Sequence, residues 1–401
     1  MIDVIAALEG LRVIELGSLI AGPFAGRLFA EFDADVIKIE PPKKGDPLRE
    51  WRYMYDGKSL WWSLQARNKK SVTIDLKSAD GQELVRKLID EADIVIANFR
   101  PGTLEKWNLG YEQLAKRNPK VIMVLVSGFG QSGPYRDKPG FGSIGESMGG
   151  IRYITGYPEL PPPRVGISIG DSLAALYSVI GALMAVYHRD VRGTKEGQLI
   201  DVALYESVFS LMESLLPEYD KFGVVRKRTG AKLPGITPSN TYPCKDGKYI
   251  VIGGNGDSIF QRFMHAIDRA DIAEDERFRS NSGRSQYADF LDKAINDWTK
   301  QVNLDKALTI LDEANVPAGP IYSIEDIVKD PQYMERDMIQ TYSLTENDTV
   351  KIPGIVPRMS KTPGRTNWLG PDLGTHTVET LRNYLNLTEQ EIQDLQDKGI
   401  I

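Results

Sequence analysis

Short apolar runs recur along the first half of this chain, and each breaks off at a loop bearing glycine, asparagine or proline. Residues 11–16 have a strand pattern and end at the turn formed by residues 17–23. Pro23 suits the first turn of a helix reaching about Phe32, because it has no N–H to leave unsatisfied there. Residues 36–40 form a second strand pattern, so the N-terminus reads as a β-α-β unit whose crossover suits parallel strands. The theme continues at 72–76, at a helix over 80–91, and at strands over 93–97 and 121–126. Residues 198–204 read as the last strand of the series. An α/β fold follows, and in such sheets ligands bind beyond the carboxyl ends of the strands. Asn98, Phe99 and Arg100 stand at one of those ends, and Ser127–Pro134 at another.

Several chemistries are disfavoured. The first turn lacks G-x-G-x-x-G spacing, with bulky Leu19 and Ile20 between Gly17 and Gly22, so a dinucleotide fingerprint is absent there. Glu40 stands where a ribose-binding acid would fall, but without the glycine turn it lacks its context. Gly128, Gly130 and Gly133 do have that spacing, yet Pro134 follows instead of a helix. No P-loop pattern occurs. With 49 Lys and Arg against 55 Asp and Glu the net charge is −6, and no basic block stands out, which argues against a nucleic-acid partner. Local basic spots do occur at connections, as at Lys43, Lys44, Arg49 and Arg52. The single cysteine, Cys244, excludes intrachain disulfides and Cys/His finger sites, and no metal site is expected. The N-terminus lacks the basic flank and long apolar stretch of a secretion signal, which suggests a cytoplasmic protein. Residues 172–187 form the most apolar run, shorter than the roughly 20 residues that span a bilayer. No membrane partner is expected.

Asp171 stands just before that run. Small and apolar residues make the run read as a largely buried helix. Residues 165–169 read as a short strand leading into it. A carboxylate at a helix N-terminus meets unpaired N–H groups and the positive end of the dipole. An N-cap is the plain structural reading of Asp171.

The order of motifs adds a second reading. Ala21-Gly22-Pro23, Val36-Ile37-Lys38-Ile39-Glu40-Pro41-Pro42 with Gly45-Asp46, Asn68-Lys69-Lys70-Ser71 and Asn98-Phe99-Arg100-Pro101-Gly102 come first. Ser127-Gly128-Phe129-Gly130-Gln131-Ser132-Gly133-Pro134 and Gly170-Asp171 follow, then Asp246-Gly247, Val316-Pro317-Ala318-Gly319-Pro320 and Leu373-Gly374-Thr375-His376-Thr377. Across essentially its whole length the chain resembles the class III CoA-transferases, which include formyl-CoA:oxalate, carnitine and bile-acid CoA-transferases. The resemblance implies a Rossmann-like, parallel-sheet large domain built from residues 1–220 and 323–401. It also implies a smaller central α+β domain over 221–322, and an interlocked homodimer. It makes Asp171 the acyl-carrying nucleophile. It assigns coenzyme A to Ile20, Ala21, Ile74, Asp75, Leu76, Lys77, Asn98, Phe99, Arg100, Lys106 and Lys138, with CoA or acyl-CoA as substrate and no metal or redox cofactor.

Further candidates lie downstream. Gly253, Gly254, Asn255 and Gly256 occupy the place of a mobile glycine loop in the formyl-CoA relative. Ser239 and Asn240 offer hydrogen bonds to a substrate, and Glu206 is a candidate second carboxylate. His376 is a candidate contact to CoA or to a partner subunit. The cationic loops favour a small dicarboxylate as acyl group and acceptor, such as succinate, malate, citramalate, glutarate or oxalate. Two rivals remain open: an α-methylacyl-CoA racemase-type enzyme and a noncatalytic CoA-binding protein. Where the racemases carry Gly-His-Asp, this chain has Gly140-Phe141-Gly142, which ranks racemisation below transfer.

Overall fold

The computed structural model describes residues 5–345 and 347–401. The expectation about a secretion signal rests partly on residues 1–4, which lie outside that range. The chain divides into two compact units, one of residues 1–151, 164–224 and 337–401, the other of residues 152–163 and 225–336. The second unit thus runs past residue 322 to Arg336 and takes in a segment at 152–163 that the sequence reading left in the first.

The first unit is built on six parallel strands: β1 Arg12–Glu15, β2 Asp35–Glu40, β3 Lys70–Thr73, β4 Ile94–Ala97, β5 Ile122–Ser127 and β6 Leu199–Ala203. Their spatial order is β3-β2-β1-β4-β5-β6, so the winding reverses between β1 and β4. All five pairings are parallel; Val13, for instance, faces Val36 on one side and Ile94 on the other. The central strands β4 and β5 are apolar along nearly their whole length because both faces are covered, whereas β1 and β2 also carry the buried charges of Glu15, Lys38 and Glu40. On one face Val13, Val36, Ile94, Ile96 and Val124 pack with Ala25 and Phe29 of helix α1 (Ala21–Ala30). On the other, Ile14, Ile37, Val95 and Met123 pack with Leu84, Val85 and Leu88 of α2 (Ala79–Asp90), and with Leu381, Ile392 and Ile400 from the end of the chain. Ser78 caps α2 by accepting from the Gly81 N–H at 2.9 Å. The C-terminal segment closes this second face, which is why the chain returns to the first unit.

Two further helices matter for the site: α3, Gly142–Met148, and α4, Ile169–Val186. The strand expected over 165–169 does not form; Ser168 is the helix N-cap and Ile169 its first residue. Helix α4 runs on through a π-helical stretch, Tyr187–Val191. The continuous span of 23 residues, Ile169–Val191, is long and apolar enough to cross a membrane by composition, longer than the sequence reading allowed. In this unit its small residues Ala174, Ala175, Ala182 and Ala185 join the first core face. After β6 come two short helices, Leu204–Phe209 and Leu215–Phe222, and Pro217 sits in the first turn of the second. An early helical turn tolerates proline's missing N–H.

The second unit has an antiparallel sheet of β7 (Ser239–Pro243), β8 (Tyr249–Gly253) and β9 (Ala318–Pro320), with β8 central. Helices Asp257–Ala266, Ala288–Thr299 and Leu304–Glu313 supply Phe260, Phe263, Leu291, Ile295 and Leu311 to its core.

Candidate active site

The reversal of winding between β1 and β4 opens a crevice beyond the strand ends, the place where open α/β sheets bind ligands. A cavity of about 520 Å³ lies there, lined from β1 by Ser18–Ala21, from β4 by Asn98–Pro101 and from β5 by Ser127 and Gly128. Asp171 lines it, together with Arg136, Lys138, Phe141, Ser143 and Arg164. A second cavity, about 670 Å³, lies beyond β2 and β3 and is lined by Lys43, Lys44, Ile74, Asp75, Leu76, Lys77 and Trp107. Ser18 and Phe99 line both, so the two adjoin.

Most of the sequence candidates therefore fall into two neighbouring groups. Ile20, Ala21, Asn98, Phe99, Arg100 and Lys138 surround the first cavity with Asp171, while residues 74–77 border the second. Lys106, at the end of the short helix Thr103–Lys106, is exposed and lines neither. Gly253–Gly256, Ser239 and Asn240 belong to the second unit. There β7 and β8 bring them to one sheet end, with Gly253 opposite Ser239 and Ile252 opposite Asn240. The glycine loop is pinned within that unit. Gly254 donates to the Pro238 carbonyl at 3.0 Å, and the wholly buried Arg284 donates to the Asn255 carbonyl and to Asp257 Oδ1 at 2.7 Å.

Asn98 has a definite task. Its Oδ1 accepts from the Ser18 N–H and its Nδ2 donates to the Ser18 carbonyl, both at 2.8 Å. The side chain bolts the β4 loop to the β1 loop, and its amide is thereby committed to backbone. A Cβ at Gly17 would lie 2.6 Å from Asn98 Oδ1, so glycine is required there. Leu19 takes a left-handed conformation, φ 66°, held by hydrogen bonds from its N–H to both Asp46 carboxylate oxygens at 3.1 Å. Phe99 meets Trp107 edge-on, with centroids 5.3 Å apart. Glu40 is far from a free ribose ligand: it is buried and accepts from Arg49 and Ser71, each at 2.7 Å.

Asp171 is the third residue of α4, inside the first turn and not at the cap. Burial, then the negative charge of Glu146, push its carboxyl up to about 6, against the pull of Arg164 and of its own backbone N–H. It stays ionised at neutral pH but is held less tightly than an ordinary carboxylate, a combination that suits a nucleophile. Glycines make room around it. A Cβ at Gly142 would stand 2.0 Å from Asp171 Oδ2, and one at Gly170 would stand 2.9 Å from the Gly142 carbonyl oxygen. Side chains at either position would crowd the carboxylate or the helix that approaches it.

Glu146 and Arg164 were not singled out by the sequence. Glu146 is wholly buried on α3, and its Oε1 lies 3.7 Å from Arg164 Nη2. What draws it inward is close helix packing: a Cβ at Gly145 would be 2.8 Å from the Leu204 side chain, and one at Gly149 2.5 Å from Val208. The small-xxx-small spacing at Gly145 and Gly149 was the available signal. Glu206, the sequence candidate for a second carboxylate, is instead exposed and accepts from Tyr205 Oη at 2.9 Å. His376 lies outside the first cavity; its Nδ1 accepts from the Ser71 N–H at 3.2 Å, and burial lowers its basicity. None of the three histidines lines that cavity.

Known proteins resemble this chain along nearly its whole length. Residues 8–377 match CoA-transferase family III. A succinyl-CoA–D-citramalate CoA-transferase from Chloroflexus aurantiacus is 50% identical over 395 residues, covering 98% of each chain. The alpha subunit of a succinyl-CoA–L-malate CoA-transferase from the same organism is 38% identical over 398 residues, covering 98% of this chain and 92% of its own. The crystal structure of a CaiB/BaiF family protein from Brucella suis superposes with a TM-score of 0.82 at 33% identity, covering 94% of this chain and 99% of that one.

Proposed function

This chain belongs to CoA-transferase family III, and we propose that it moves coenzyme A from a short dicarboxylyl-CoA, such as succinyl-CoA, to a second small dicarboxylic acid, with Asp171 as the acyl carrier. The observation that carries this reading is the Asp171 carboxylate, raised to about 6 yet ionised at neutral pH, on the wall of a cavity at the sheet's winding reversal. The relatives that act on citramalate and malate support the substrate class. So does the lining of the first cavity by Arg100, Arg136, Lys138 and Arg164.

In the proposed cycle an Asp171 oxygen attacks the thioester carbonyl; the C–S bond breaks and CoA thiolate leaves, giving a mixed anhydride. The thiolate attacks the Asp171 carbonyl carbon, the C–O bond breaks, and the donor acid departs as its carboxylate, leaving an aspartyl-CoA thioester. The acceptor carboxylate then attacks that carbon and expels CoA thiolate. Thiolate attack on the acceptor's acyl carbon forms the new thioester and restores Asp171. Protons balance throughout, so the cycle needs no general acid. Each attack gathers negative charge on an oxygen, which N–H donors of the α4 first turn or of the glycine-bordered loops would receive in this cycle.

The adjoining second cavity, with Lys43, Lys44 and Lys77 at its rim and Trp107 in its wall, suits the phosphates and ring of the CoA nucleotide. Phe99, which lines both cavities, supports a path for the pantetheine arm between them. Exposed Leu176, Ile180, Leu183 and Met184 on α4 support a homodimeric assembly, since such apolar patches favour subunit contact. A cytoplasmic location fits a reaction that runs on CoA thioesters.

Incubation with succinyl-CoA followed by hydroxylamine should place a hydroxamate on Asp171, alongside CoA transfer to an added dicarboxylic acid. Exchange of the α-proton without transfer would instead assign a racemase, and CoA binding with neither activity a binding protein.

A further inference from the structure

The first cavity carries four cations, and one of them is set apart. Arg164 lies on the segment that enters α4, seven residues before Asp171, and it is the cation whose charge acts on the Asp171 carboxyl. Its guanidinium makes two hydrogen bonds to the backbone and stands near a buried carboxylate. Nε donates to the Val165 carbonyl and Nη2 to the Ile167 carbonyl, each at 3.3 Å, while Glu146 Oε1 stands 3.7 Å from Nη2. Glu146 is wholly buried, yet the Arg164 side chain keeps 49% of its surface exposed. A planar, anchored guanidinium with N–H donors still facing open space is built to receive a carboxylate in two-point fashion.

The direction of entry says which carboxylate. Arg164 lines the cavity of Asp171 but not the adjoining one, and Phe99 and Ser18 mark where the two meet. An acyl-CoA reaching Asp171 through that junction presents its thioester to the nucleophile and carries the rest of its acyl chain onward, into the space that Arg164 borders.

We infer that Arg164, oriented by Glu146, is the specificity residue that binds the distal carboxylate of the dicarboxylyl group, in the donor and then in the acceptor. The inference rests on the CoA-transfer reading given above and deepens it. Arg164 holds the non-reacting end of the substrate; Glu146 is a positioning residue that acts through Arg164.

The test compares substrates within each protein. Succinyl-CoA and butyryl-CoA are offered as donors, and glutarate and butyrate as acceptors, to the wild type, R164Q and R164K. Loss of a charge-assisted contact lowers the dicarboxylate-to-monocarboxylate ratio of kcat/KM about tenfold to a hundredfold in R164Q, through KM. R164K, which keeps the charge but not the fork, falls between R164Q and wild type. Any general weakening of Asp171 affects both substrates and cancels in the ratio. A ratio in R164Q equal to wild type, with wild type transferring CoA between dicarboxylates, overturns the inference alone. Wild-type protein that moves CoA only between monocarboxylic acids overturns the substrate reading and the inference together. Should R164Q fail to fold by circular dichroism, an R164K ratio equal to wild type overturns the inference and a lowered one supports it.

Discussion

Asp46 and Glu40 on one side and Asp171 on the other lie within the first unit, in surroundings that push their carboxyls in opposite directions. Beneath the β1 loop, Lys38 reaches Glu15 and Asp46 at 2.8 Å each, and Lys69 reaches Glu15 at 2.7 Å. Burial alone would raise the carboxyl of Asp46. The charge and hydrogen bond of Lys38, with the N–H groups of Leu48 and Leu19, more than reverse that and hold it below its ordinary value. Glu40 follows the same pattern, with burial outweighed by Arg49, Lys38 and Ser71. At Asp171 burial and Glu146 win over Arg164, and the carboxyl rises to about 6. One group is saturated with donors and does structural work. The other is short of them, and a carboxylate short of donors keeps lone pairs for chemistry.

The contrast can be broken at either end. The largest effect is expected for D171N, which removes the proposed nucleophile: CoA transfer falls by about 10⁴-fold or more, and hydroxylamine trapping finds no adduct at residue 171. Next comes K38M, which leaves Glu15 and Asp46 buried against an uncharged side chain. Urea unfolding should register a loss of about 3–5 kcal/mol, the cost of stranding buried charge. No comparable loss is expected for D171N.

A smaller effect sharpens the difference through pH. The proposed attack needs an ionised Asp171, so kcat/KM should fall as pH drops through about 6, with unit slope. E146Q removes a negative neighbour, so that acid limb should move to lower pH, by about one unit or less. An unmoved limb in E146Q would mean that Glu146 does not act on Asp171 electrostatically.

The smallest effect concerns stability. The folded protein holds the Asp171 proton up to about 6, whereas the ordinary carboxyl value is 3.8. Between those values the folded state binds a proton that the unfolded state has released, so this group lowers stability as pH rises through the interval. D171N lacks that dependence. Its Tm should match wild type near pH 4 and exceed it by a few degrees at pH 7, a modest gain given partial solvent access.

Much of this arrangement could be read from the sequence, for identifiable reasons. The parallel sheet was legible because strands covered on both faces carry short apolar runs and end at small or polar turn residues, as at Gly17, Asn98 and Ser127. Asp171 was legible from its place before an apolar helix and from the motif order around it. Its turn was misjudged by three residues, because a helix can begin on Ile169 without a capping side chain. The Asn68-Lys69-Lys70-Ser71 motif stood out in the sequence, and the structure gives it bracing work. Asn68 accepts from the Asn367 N–H at 2.6 Å, Lys69 pairs with Glu15, and Lys70 pairs with Asp35 at 2.7 Å. Glu146 was hidden because a glutamate between glycines on a short helix resembles any surface residue. Only the approach of Leu204 and Val208 to Gly145 and Gly149 buries it. Arg164 was hidden because its importance depends on Glu146, and a coupling of that kind leaves no pattern in the spacing of the chain.

The bolt between Asn98 and Ser18 bears on what ligand binding must cost. A loop that is loose in the free protein surrenders conformational entropy when a ligand orders it, at roughly 1–2 kcal/mol per residue fixed. Here the β1 loop has been ordered already, by the two hydrogen bonds Ser18 exchanges with Asn98 and by Asp46 gripping the left-handed Leu19. That entropy was surrendered during folding, so in the proposed cycle the β1 side of the crevice meets each thioester as a finished mould. Exchange of one acid for another can then proceed without the wall refolding at every turn of the cycle.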